Sequence, residues 1–62
     1  MKGIVVTNFA DVKIFIPTHR IASVVDMGDR VRIWEIDSRE EYHSVRESFR
    51  TVVDLITGNK KE

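Results

Sequence analysis

Apolar and polar positions alternate with a short period through the first 36 residues and at helical spacing near the C-terminus. Ile4-Val5-Val6-Thr7 is β-branched throughout, which favours a strand because branched side chains fit a pleated surface. Asn8 to Asp11 holds turn formers. Val12 to Ile16 then alternates, with Val12, Ile14 and Ile16 on one face and Lys13 and Phe15 on the other. Pro17 closes this strand because it has no N–H to give a ladder. After Thr18-His19-Arg20, the runs Ile21 to Met27 and Arg30 to Ile36 flank Gly28-Asp29. Two residues of Gly-X type between β-rich runs predict a type II′ hairpin turn. In the second of these runs Val31 and Ile33 share one parity, while Trp34 and Ile36 share the other. Either the strand is apolar on both faces or a bulge changes its phase.

The C-terminal third has two readings. Ser38-Arg39-Glu40-Glu41 has the S-x-x-E form of a capping box. Tyr42, Val45, Phe49, Val52, Val53 and Ile56 would then form one stripe on a helix of about 19 residues. In the other reading, Asp37 to Glu40 is a turn and Tyr42 to Val45 a fifth strand, with Ser48 as N-cap of a shorter helix carrying Phe49, Val52, Val53 and Ile56. Both end at Gly58, placed as a left-handed stop, and leave a polar tail over residues 59–62 that is expected to be disordered. The expected fold is α+β: one domain over residues 1–62, a small antiparallel sheet of four to five strands built on two hairpins, and one C-terminal helix packed on it.

The strand order, with Val45-Arg46-Glu47-Ser48 ahead of Val52-Val53-Asp54-Leu55-Ile56, resembles the FlbD-like small proteins of flagellar operons and their bacterial and phage relatives. In that family, hairpin strands lead to a V-K-E-S segment and a closing helix. The resemblance spans roughly residues 12–57, and the family's glycine before V-K-E-S has no counterpart in Asp37 to Glu41. It implies the fifth strand with Ser48 as N-cap, and an accessory protein that acts by contact without catalytic residues.

Size changes the picture next. A chain of 62 residues buries only about 60% of its unfolded surface and is marginal alone. Cysteine is absent, so disulfides and thiolate metal sites are excluded. His19 and His43 are too few and too scattered for a structural zinc site, and no metal or cofactor is expected. The two remaining routes to stability are an efficient core and oligomerisation. If Ile4, Val6, Val12, Ile14, Ile16, Val31 and Ile33 face inward, then Val5, Phe15, Trp34 and Ile36 face outward. Exposed apolar residues grouped in this way mark interfaces, with Trp34 as the anchor. The expected function is therefore a non-enzymatic interaction or assembly module that forms a homo-oligomer through Val5, Phe15, Trp34 and Ile36. The plain alternative is that these residues stand singly or turn inward.

Ten basic and ten acidic residues give a net charge of zero, which gives no general pull toward nucleic acid or an anionic membrane. Arg30 and Arg32 alternate on one strand face, and Lys13 joins them if the hairpins are adjacent. This trio carries the alternative reading, a nucleic-acid-binding accessory or regulatory protein, against the simpler one of a solvated strand face. His19-Arg20 lies in a loop without an assigned carboxylate or nucleophile, and Asp37, Glu40 and Glu41 read as a turn or helix-start cluster. No P-loop, Gly-rich phosphate loop or metalloprotease motif is present, so no catalytic residue is assigned. No apolar run approaches the roughly 20 residues that span a bilayer, and Met1-Lys2-Gly3 does not open a signal peptide. A cytoplasmic location is the expectation.

Overall fold

The computed structural model describes residues 2–38 and 40–58; the tail expected at 59–62 lies outside them. Five strands precede one helix: β1 Gly3–Thr7, β2 Lys13–Pro17, β3 Ile21–Asp26, β4 Val31–Glu35, β5 Tyr42–Val45 and α1 Phe49–Thr57. A single 3-10 turn, Thr18–Arg20, separates β2 from β3. Residues 39–48 thus follow the shorter-helix reading, with a fifth strand at Tyr42–Val45 and Ser48 as N-cap.

The strands form two antiparallel sheets, β1-β2 and β3-β4-β5, where the sequence predicted one. The cause lies at Pro17. Thr18 N donates to Lys2 O as the last rung of the first hairpin, and Ile36 N donates to Arg20 O as the first rung of the second. The 3-10 turn between those rungs carries the chain from one sheet to the other. A seam joins the sheets at their far side. Asn8 bridges to Val45, and Arg46 N donates to Thr7 O at 2.8 Å. The ladder stops there because Thr7 N donates instead to Glu47 Oε1 at 2.9 Å.

The inner faces of both sheets and one side of α1 meet in a core of Ile4, Val6, Ile16, Val31, Ile33, Val45 and Val52. Ile14, Ile21, Val24, Leu55 and Ile56 pack around it. α1 lies against β1 and β3 and buries Val52, with Leu55 and Ile56 beside it, at the three- and four-residue steps of one helical stripe. Three inward expectations fail, one of them Val53, which is half-buried but stands outside the core cluster. Val12 is 53% exposed, because it precedes β2 and its amide is held by Asn8 Oδ1 in the loop. Phe49 is 39% exposed at the first turn of α1, and Leu55 takes the core contact.

Turn chemistry matches the residues that carry it. Gly28 has φ 97°, a left-handed backbone that glycine favours, and Met27 N donates to Arg30 O across the turn. Gly58 closes α1 at φ 74°, its N–H bonded to Asp54 O. β4 pairs with β3 and β5 without a break, and the register shift lies in β3 between Ile21 and Ser23. β4 is therefore apolar on both faces: Val31 and Ile33 point inward and Trp34 points outward.

Candidate interaction surface

The outer face of β3-β4-β5 is built from two cross-strand rows. Ser23 pairs with Trp34 and Trp34 with Tyr42; Val25 pairs with Arg32 and Arg32 with Ser44. Direct cross-strand neighbours on one face have Cβ atoms about 5 Å apart, so large side chains must stack. Trp34 and Tyr42 do so, with ring centroids 4.9 Å apart and tilted by 53°. The Arg32 guanidinium lies 4.3 Å from the Tyr42 centroid, so Tyr42 sits between an indole and a cation. Arg32 Nε is hidden from solvent and finds no acceptor. The seam extends the face: the Asn8–Val45 bridge brings Phe9 alongside β5, and Arg30 stands 5.1 Å over the Phe9 ring. Phe9, Arg30 and Tyr42 line one shallow depression. Arg30 Nη2 also reaches Asp29 Oδ2 at 3.4 Å.

The four residues expected at an interface fall into two groups. Val5 and Phe15 are cross-strand partners on the outer face of the β1-β2 hairpin, each 52% exposed. The Phe15 ring lies over Gly3, where an added Cβ would stand 2.6 Å from one ring carbon and 2.8 Å from Ile16 O. Trp34 belongs to the other sheet, and Ile36, 43% exposed, lies in the turn just beyond β4. The three basic residues are also divided. Arg30 and Arg32 share the outer face of β4, but Lys13 pairs opposite Thr7 and acts on Glu47. Sequence reasoning left out Phe9 and Tyr42. Phe9 is a large apolar residue in a turn bounded by Asn8 and Asp11, which is the available signal; Tyr42 fits the helix stripe as well as the fifth strand.

The titratable groups make local clasps. Glu35 sits between His43 Nε2, 2.7 Å from its Oε2, and Arg20 Nε, 3.7 Å from its Oε1. These side chains stand on the inner side of the sheet at the end beyond Ile33. A His–Glu pair orients an imidazole, but nucleophilic chemistry needs a third group on the ring. Among the described residues, the bond to Glu35 is the one the His43 ring makes. Arg46 Nη1 bonds Asp11 Oδ1 at 3.0 Å across the seam. At Glu47, burial pushes the carboxyl up. The Thr7 N–H, Glu47's own N–H, the Thr7 hydroxyl and the Lys13 charge outweigh this and hold it below the ordinary glutamate value.

Among the described residues, no three His, Asp or Glu side chains converge as metal ligands would, and no helix is long and apolar enough to cross a membrane. No family model, curated protein or solved structure matches the chain.

Proposed function

We propose that this protein is a non-enzymatic interaction module that associates with itself through the outer face of β3-β4-β5. The observation that carries this reading is Tyr42 stacked between a half-buried Trp34 and Arg32 on the outer face of the sheet, opposite the core. Aromatic and arginine side chains are the ones enriched at the centres of interfaces. A chain of this size also gains most from a partner. The likeness of Val45 to Ser48 to the V-K-E-S segment of FlbD-like proteins points the same way, to an accessory protein that acts by contact. Val5 and Phe15 form a second apolar patch, separate from the first.

Strand addition at the free edge of β2 is a weaker route. Rungs at Lys2–Thr18 and Asn8–Val12 turn the main-chain groups of Lys13, Phe15 and Pro17 to that edge. Pro17 has no N–H, so the edge offers two donors and little to add to.

Light scattering after size exclusion across a concentration series tests the reading. A dimer or larger species is the expected mass, and a monomer at the highest concentration would overturn it.

A second reading rests on the two cation–ring contacts, Arg32 with Tyr42 and Arg30 with Phe9. Aromatic platforms flanked by cations suit single-stranded nucleic acid. It predicts binding of a labelled single-stranded oligonucleotide that falls steeply with salt. No shift at low salt would remove it.

A further inference from the structure

The charges around the Trp34 and Tyr42 pair are not symmetric along the strands. Trp34 and Tyr42 face each other across β4 and β5. Arg32 lies two residues before Trp34 on the same face, and Arg30 two residues before that. At about 3.3 Å per residue, these cations stand roughly 7 and 13 Å from Trp34 toward one end of the sheet. The β4–β5 connection lies at the other end. It carries Asp37, Glu40 and Glu41, all exposed, against one cation, Arg39, outside the described residues. Asp29, paired with Arg30, offsets part of the charge at the first end, and Arg20, paired with Glu35, stands by Ile36 at the second, so the face runs from net basic at Arg32, through aromatic, to net acidic at the connection. Arg32 takes part in no ion pair among the described residues, and its Nε lacks an acceptor.

We infer that a second copy of this chain covers this face as a two-fold dimer with crossed charges. The inference rests on the self-association reading above. In a face-to-face dimer the two-fold axis lies between the sheets, and the same patch is used twice. An axis along the strands would set Arg32 against Arg32 and one acidic loop against the other. An axis across the strands, at the level of Trp34 and Tyr42, reverses one copy. It stacks the aromatic pairs at the centre and places Arg32 and Arg30 of each copy opposite Glu40 and Glu41 of its partner. Opposed like charges disfavour the first arrangement, and paired opposite charges favour the second. The charge layout thus selects one of the two dimers that the apolar patch alone would allow.

The test is a charge-swap mixing experiment on the full chain, read by light scattering with circular dichroism as the fold control. Arg32→Glu puts a carboxylate at the basic end of the face, and Glu40→Lys with Glu41→Lys reverses the charge of those two loop positions. Each variant alone should dimerise about tenfold or more weaker than wild type, because the contact of residue 32 with residues 40 and 41 of the partner becomes like-charged on both sides of the axis. An equimolar mixture should recover the dimer mass, since both contacts of residue 32 in the mixed pair are again of opposite sign. If Arg32→Glu lowers the helix and sheet signal, Arg30→Glu takes its place in the same mixture. A wild-type dimer whose variants associate unchanged, or whose mixture stays monomeric, overturns the crossed arrangement and leaves self-association standing. A monomeric wild type overturns both.

Discussion

At Glu47 one carboxylate takes the N–H that a longer β1–β5 ladder would have used, and this fixes where the two sheets part. Its pKa is depressed in the folded chain, so its contribution is present above the ordinary glutamate value and is lost as pH falls through the lowered one. Glu47→Gln should therefore cost about 1 kcal/mol near neutral pH, the scale of a charge-assisted hydrogen bond. Urea titrations should find that difference shrinking on acidification below the carboxylate range; a penalty independent of pH would mean the charge is irrelevant. Gly3 is a second decisive position. An alanine methyl there meets the Phe15 ring and the Ile16 carbonyl oxygen, 2.8 Å away, and the backbone atom is the one that cannot yield. Gly3→Ala should destabilise by about 1–3 kcal/mol, as overpacking does, whereas paired with Phe15→Ala it should recover only the part due to the ring. Neither role was legible in the sequence, because Glu47 acts on Thr7, 40 residues away, and the Gly3–Phe15 approach depends on strand register.

The elements themselves were more legible than their arrangement. Pro17, Gly28 and Gly58 set boundaries by local backbone chemistry, and each ends or turns an element in the structure. Ser48 is the same kind of signal: its Oγ accepts from Thr51 N at 3.2 Å and its carbonyl accepts from Val52 N. Ser48→Ala should cost about 1 kcal/mol, or about 4–8 °C in Tm for a domain this small. Ser48→Asp, which keeps an acceptor at the cap, should hold most of it. Equal loss from both substitutions would show that capping is not the cause. Tyr42 to Val45 fits a helical stripe and a strand equally, because four residues are too few to separate the two periods. The division into two sheets was hidden for another reason. Alternation tells which face a residue takes, not which strand lies beside it, and the switch rests on a three-residue 3-10 turn. The same limit misplaced Val12, whose parity was right for β2 but which sits one residue before that strand begins.

On the scale of the molecule, the core is small and most of its members are β-branched residues on inner strand faces. The outer face of β3-β4-β5 holds the aromatic and cationic side chains that such a core has no room for. Trp34 was legible as an outward residue from its parity against Val31 and Ile33; its neighbours Tyr42 and Phe9 were not, since they arrive from β5 and from the turn after β1. Self-association through this face requires that Trp34 contribute more to the dimer than to the monomer fold. The most direct measurement is the dissociation constant of Trp34→Ala by sedimentation or light scattering, set beside its thermal melt at a concentration where wild type is monomeric. A large loss of association with a nearly unchanged monomer melting temperature is the predicted result. An unchanged mass with a collapsed melting temperature would place Trp34 in the monomer core and contradict the interface.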